Sequence, residues 1–289
     1  MSRKPDRTRY LYLAPSFLLL AVFLIFPLYY LFDLSFNSYY VGLAREFVGA
    51  ENYLELFSDP VFHVVMQNTV VFTVGTLVLV TLMGLATALM LNQTLRGVRI
   101  LTAVFAIPWF LGIVESASAW RFLFNANSGL VNAMLLDIGV IHSVIEWLST
   151  PSSAMSVLIV ANTWKLWPFT MLTVLAGLKT IPVELYEAAK IDGADSLQRL
   201  RSITMPHLKY LLLVCSILTI SWCLGSFTIV YVMTGGGPIN STLIFDVYAY
   251  NLVFEHLKLG VGSAAAALHV IIMFLLTVFY MYLLRRTGK

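Results

Sequence analysis

Charged residues in this 289-residue chain are bunched. Between the bunches run six apolar stretches of membrane-crossing length, at about residues 10–32, 64–92, 100–120, 154–178, 209–233 and 262–284. A helix needs about 20 apolar residues to cross the hydrocarbon of a bilayer, and it satisfies its own backbone while doing so. Each stretch is therefore predicted to be a transmembrane helix. Composition agrees: 59% of residues are hydrophobic and 11% charged. A soluble domain carries roughly 25% charged residues, so this chain has too few charges for a water-facing shell. The first stretch follows Arg3, Lys4, Arg7 and Arg9. It is longer than the roughly 7–15 apolar residues of a secretory signal. Pro27, Tyr29 and Tyr30 stand where a small-residue cleavage site would be expected, so it reads as a retained span.

An even number of spans places both termini and the loops at 93–99 and 179–208 on one side. That side holds Arg3, Lys4, Arg7, Arg9, Arg96, Arg99, Lys179, Lys190, Arg199, Arg201, Lys209, Arg285, Arg286 and Lys289, against Arg45, Arg121 and Lys258 on the other. Basic residues stay cytoplasmic. Residues 1–9 and 286–289 are then cytoplasmic tails of a single transmembrane domain, residues 10–285. The loops 33–63, 121–153 and 234–261 face outward. They carry amphipathic stretches such as 133–148, suited to the membrane surface, to an external partner or to tying the loops down. The net charge of +3 reflects this asymmetry. No basic patch with interleaved aromatics points to nucleic acid.

Several chemistries are excluded. There is no Gly-x-x-x-x-Gly-Lys-Ser/Thr phosphate loop, so ATP is not expected on this chain. Metal-binding His-x-x-x-His and Cys-x-x-Cys spacings are absent, as is any nucleophile–base constellation that an intramembrane enzyme would need. Cys215 and Cys223 lie eight residues apart on one predicted helix. That separation is about 12 Å, too far for a disulfide, so both read as small packing residues.

Residues 187–206 form a polar island in this apolar chain, Glu-Ala-Ala-Lys-Ile-Asp-Gly-Ala-Asp-Ser-Leu-Gln-Arg-Leu-Arg-Ser-Ile-Thr-Met-Pro. Thr180 is suited to cap a helix and Pro182 to start one. Glu184 and Glu187 would sit near the positive end of its dipole, and Ala188 and Ala189 are strong helix formers. Gly193 interrupts the run, and a second stretch, 196–203, leads to Pro206. The small residues Ala188, Ala189 and Gly193 would let another protein approach closely.

Glu187, Ala188, Ala189, Gly193, Ile203 and Pro206 stand in the register of the EAA loop of ABC importer permeases, which the island resembles; Met205 replaces the usual Leu. Ile181-Pro182-x-Glu184-Leu185-Tyr186 extends the match. Thr234-Gly235-Gly236-Gly237-Pro238, followed by Asn240-Ser241-Thr242, allows a tight chain reversal. It resembles the turn after the fifth span of carbohydrate-importing permeases. Asn162-Thr163-Trp164-Lys165 with Pro168-Phe169 looks like their fourth-span signature. Across nearly its whole length the chain resembles the membrane subunit of a binding-protein-dependent ABC sugar importer, in the branch of the maltose and glycerol-3-phosphate permeases.

The resemblance implies an all-α membrane protein of six transmembrane helices, with the type I ABC importer permease fold and cytoplasmic EAA coupling helices. It implies a prokaryotic cytoplasmic membrane. It also implies a second permease subunit as pseudo-symmetric partner, two ABC ATPase subunits that hold ATP and Mg, and an extracytoplasmic sugar-binding protein. No cofactor is expected on this chain. ATPase contacts are expected at Glu187, Ala188, Ala189, Asp192 and Gly193, with Ile203 and Pro206 completing the motif. Few cationic groups lie along the spans, so the expected cargo is a neutral di- or oligosaccharide; glycerol-3-phosphate or a polyol is the alternative. A secondary transporter would want paired carboxylates or an inverted repeat near the midplane, and neither is visible.

Glu115 and Lys165 fall inside predicted spans, where a charge is costly and needs a cavity or a partner. They either line the path or form an ion pair that locks the third span to the fourth. Most of the tryptophans, Trp109 and Trp120 among them, read as packing or interfacial residues. Asn162, Trp164, Ser221, Trp222, Ser226 and Tyr231 offer the aromatic faces and polar groups that a sugar needs. The path candidates are thus Glu115, Asn162, Trp164, Lys165, Trp222, Ser226 and Tyr231. Pro168 is expected to kink the fourth span.

Overall fold

The computed structural model describes residues 7–39, 44–93 and 96–287. Arg3, Lys4 and Lys289, used above to orient the chain, lie outside these residues. In chain order the elements are α1 (Arg7–Leu20), a π-helical turn (Ala21–Ile25), α2 (Phe26–Ser35), strands β1 (Asn37–Ser38) and β2 (Glu46–Phe47), α3 (Glu51–Ser58), α4 (Pro60–Leu91), α5 (Val98–Phe110), α6 (Ile113–Leu123), α7 (Leu130–Asp137) and α8 (Pro151–Leu178). They continue with α9 (Val183–Ile191), α10 (Ser196–Arg199), a π-helical turn (Leu200–Thr204), α11 (Met205–Leu224), α12 (Phe227–Met233), α13 (Phe245–Tyr250), a π-helical turn (Asn251–Glu255) and α14 (Leu259–Thr287). The protein is an α-helical membrane protein. The one departure among the described residues is the two-residue antiparallel ladder of β1 and β2, with Asn37 opposite Phe47.

Five helical stretches are long and apolar enough to cross a membrane: Tyr12–Ser35, Pro60–Leu91, Pro151–Leu178, Ser196–Leu224 and Leu259–Arg286. The sixth is broken. Where a continuous third span was expected over 100–120, α5 and α6 meet at a bend of 96°. Leu111 and Gly112 adopt extended backbone there, with ψ of 150° at both. The fifth span also departs from its expected extent of 209–233. Its helix ends at Leu224, Gly225 and Ser226 leave helical geometry, and α12 is a separate short helix.

The chain divides into two compact units, Met1–Phe62 with Ala249–Ile271 and His63–Tyr248 with Ile272–Lys289. In the first, Asn52 is buried and donates to the carbonyls of Ser35 and Asn37, each at 2.9 Å. The Tyr53 hydroxyl donates to Ser35 Oγ at 2.7 Å. A buried amide is tolerated only when so satisfied, and this one fixes α3 against the end of α2. Lys258 pairs with Glu55 at 2.7 Å, and Arg45 pairs with Asp33.

In the second unit α8 is the most enclosed span and packs against α5, α6, α11 and α12; α6 in turn packs on α12. It runs through Pro168 without a break. The stretch expected to be amphipathic over 133–148 is not one helix, because α7 ends at Asp137. Buried Asn132 ties the following loop down. Its amide nitrogen donates to the carbonyls of Ala126 (3.0 Å) and Ile145 (2.9 Å), and its oxygen accepts from Trp147 Nε1 at 2.9 Å. Both cysteines are free and buried.

Candidate functional site

The end of α5 poses an electrostatic problem, because the last carbonyls of a helix have no intrahelical partner. In hydrocarbon no water replaces it. Lys165 on α8 resolves this: its Nζ donates to the carbonyls of Pro108 (3.0 Å), Trp109 (2.9 Å) and Leu111. A cation there also meets the negative end of the helix dipole. The expected Glu115–Lys165 ion pair does not form. Glu115 is instead exposed in the first turn of α6, where a carboxylate meets the positive helix end.

Lys165 thereby holds the corner that walls a cavity of about 350 Å3, lined by Trp109, Asn162, Lys165, Ser221, Trp222 and Ser226 with Ile113, Leu166 and Gly225. Of the expected path residues, Asn162, Lys165, Trp222 and Ser226 meet here. Three do not line it. Glu115 is exposed in the first turn of α6, Trp164 packs on Trp120 at 5.8 Å, and Tyr231 lies on α12, stacked on Phe227. Trp109, read from the sequence as a packing or interfacial residue, is the unexpected member. Its ring centroid lies 4.9 Å from Trp222 and 5.2 Å from Phe169. The break after Phe110 is what brings it there. Asn162 Nδ2 donates to Cys223 Sγ at 3.5 Å and Ser226 Oγ to the Trp222 carbonyl at 2.7 Å.

The glycine turn after α12 is stitched to α4. Asn68 Nδ2 donates to the carbonyls of Asn240 (2.7 Å) and Leu243 (3.1 Å), and the Phe245 amide donates to Thr69 Oγ1 at 3.1 Å. Within it, Thr234 and Thr242 hydroxyls share a hydrogen bond of 2.8 Å. Gly236 has φ +91° and leaves no room for a side chain beside Leu243.

The polar island forms α9, a reversal at Gly193 with φ +79°, and α10. The Asp195 carboxylate accepts from the Gln198 amide, and the Gln198 side chain accepts from the Asp195 amide, both at 2.8 Å. This is a reciprocal cap. Two expectations fail here. Pro182 itself is the N-cap of α9, and Thr180 Oγ1 donates back to the Gly177 carbonyl at 2.8 Å, so Thr180 closes α8 rather than opening α9. Nor does the second stretch stop before Pro206. The Met205 amide donates five residues back to Leu200, and this widened turn takes up the register so that one missing N–H does not end the helix. Tyr186 Oη and Thr204 Oγ1, 2.9 Å apart, tie α9 to that turn. Glu187, Ala188, Asp192, Gly193 and Pro206 are exposed, and Ala189 and Ile203 are half-buried. Ile191, which the motif does not mark, is 87% exposed.

A broken third span with a cavity beside it and an exposed helical pair are features suited to a membrane transport subunit. Residues 80–289 match the family described as binding-protein-dependent transport system inner membrane component. The chain belongs to that family: it is a permease subunit of an ABC transporter, a transport component and not an enzyme. It is 38% identical to the trehalose/maltose transport system permease protein MalF of Thermococcus litoralis, over 94% of this chain and 92% of that one. It is 35% identical to the lactose transport system permease protein LacF of Rhizobium radiobacter, over 100% and 97%. To the sulfoquinovosyl glycerol transport system permease protein SmoG of Agrobacterium fabrum it is 35% identical, over 95% and 89%. Its fold matches a chain of the bacterial alginate ABC transporter solved with a pentasaccharide-bound periplasmic protein, with a TM-score of 0.85 at 24% identity, over 98% and 96% of the two chains.

Proposed function

We infer that this permease imports a neutral di- or oligosaccharide through the Trp109–Trp222 cavity. The observation that carries the reading is the lining itself: two indole rings, in contact at 4.9 Å and tilted 53° to each other, offer apolar surface to a sugar ring, and Asn162, Ser221 and Ser226 suit its hydroxyls. The trehalose, maltose and lactose systems of its relatives support the same class. Against glycerol-3-phosphate stands Lys165, whose three ammonium protons already meet three carbonyls.

Both termini and the α9–α10 pair are cytoplasmic, following the distribution of basic residues. A second permease subunit pairs with this one, two ATPase subunits carry ATP and Mg, and an external binding protein delivers the sugar. ATP binding closes the ATPase pair against Glu187, Ala188, Ala189, Asp192 and Gly193, with Ile203 and Pro206 shaping the turn behind them. That movement turns the cavity outward to receive the sugar, and hydrolysis returns it inward.

The test is uptake of radiolabelled trehalose, maltose and lactose into proteoliposomes holding the complete transporter, binding protein and ATP. Trp222→Ala is expected to abolish uptake while the ATPase still co-purifies. Glu187→Lys is expected to leave hydrolysis running without uptake. Uptake unchanged in both variants would overturn the reading.

A further inference from the structure

A second cavity, of about 410 Å3, is bounded by α6, the segments around 124–127 and 146–149, and the end of α12; Arg121, Phe124, Asn127, Glu146, Trp147 and Thr234 line it. Its walls are positioned from outside. Asn125 Oδ1 accepts from the amides of Asn127 and Ser128, both at 3.0 Å, which fixes the turn. Arg121 Nη1 donates to the Val232 carbonyl at 3.1 Å. A guanidinium has five N–H donors, so others remain for a ligand. Trp147 is held by Asn132 through its Nε1 and by the edge of Phe124 at 5.6 Å. An indole face beside a guanidinium, a carboxylate and an amide is the chemistry that receives a pyranose: the ring stacks, and its hydroxyls donate to Glu146 and accept from Arg121 and Asn127.

A series of ring contacts starts at this cavity and ends one residue from the lining of the other. Phe124 stacks on Trp120 at 5.6 Å and 12°, and Trp120 meets Trp164 at 5.8 Å. Trp164 adjoins Lys165, which lines the cavity where Trp109, Phe169 and Trp222 lie 4.9 to 5.2 Å apart. Every ring in this series is half-buried.

We propose that the Trp147 cavity is a second, outer saccharide subsite, and that Phe124, Trp120 and Trp164 form an aromatic track from it to the Trp109–Trp222 cavity. The proposal rests on the sugar reading above, and its test separates the two. Both native cysteines are buried, so a cysteine introduced at exposed Asn127 or half-buried Ser221 reports its own cavity. The complete transporter in nanodiscs, carrying Asn127→Cys or Ser221→Cys, is labelled with a small maleimide in the presence of trehalose, maltose or lactose.

A sugar at ten times its dissociation constant is expected to slow labelling about tenfold at either position. Adding Trp147→Leu removes the protection at residue 127 only, and Trp147→Phe restores it. Protection at 221 without protection at 127 overturns the outer subsite and leaves the inner one standing. Protection at neither position by any of the three sugars overturns the saccharide reading itself. Protection at 127 by sugar-free binding protein, and by no sugar, assigns the cavity to a protein contact and overturns the proposal.

Discussion

The ammonium of Lys165 and the carbonyl of Trp109 stand 2.9 Å apart, joining the fourth span to the corner of the third. A lysine in a sugar path invites the idea of a ligand contact. Here it completes a helix end instead, and the cavity takes its shape from that bond.

Lys165→Met is therefore expected to destabilise the folded subunit. It strips three carbonyls of their donor at a cost on the order of 3 kcal/mol. The thermal unfolding midpoint of the purified complex checks this, with Lys165→Arg retaining part of the stability. A Met variant that kept its midpoint and lost only uptake would return Lys165 to the ligand.

Ile191 presents an almost fully exposed side chain at the end of α9, where docking would cover it. Burying an isoleucine contributes about 1.5–3 kcal/mol. Ile191→Asp is expected to weaken co-purification of the ATPase subunits by roughly one to two orders of magnitude while leaving the unfolding midpoint of the permease in place.

Tyr186 and Thr204 are joined by one hydrogen bond between the two arms of the coupling region. Tyr186→Phe and Thr204→Val should each lose about 1 kcal/mol and lower the sugar imported per ATP hydrolysed. The double variant should be no worse than either single, since both remove the same bond. Additive losses would show that the residues act separately.

Gly236 and Gly235 both have positive φ, at +91° and +61°, but their surroundings differ. A methyl group at Gly236 would meet Leu243 Cδ1 at 2.5 Å, whereas at Gly235 the nearest atom is 4.0 Å away. Gly235→Ala should cost about 1 kcal/mol from backbone strain alone. Gly236→Ala should cost clearly more, with a lower unfolding midpoint and loss of uptake.

The six membrane-spanning stretches were legible because charge is scarce and bunched, and an apolar run of that length has few other fates. The helix–reversal–helix form of the polar island was legible because Gly193 interrupts a run of helix formers. The break in the third span was missed although Pro108 and Gly112 flank it, because Phe110, Leu111 and Ile113 keep the run apolar and single helix breakers are tolerated in membrane spans. What satisfies the end of α5 is a lysine more than fifty residues later, and no local pattern reports that. The misplacement of Trp109 and the supposed Glu115–Lys165 pair both follow from it. The second stretch was expected over 196–203, leading to Pro206. The turn at Leu200–Thr204 absorbs the missing amide and the helix continues.

That continuity has a mechanical meaning. Ser196–Leu224 is a single rod of 29 residues, about 43 Å long at 1.5 Å per residue. One end begins beside Asp195 at the Gly193 reversal, and the other carries Trp222 into the cavity beside Trp109. Pivoted at its base, such a rod swings its far tip by about 4 Å for a tilt of about five degrees, roughly one helical radius plus a methyl group. A small push at the Asp195 end would thereby be enlarged into a displacement at Trp222 large enough to part the two indoles.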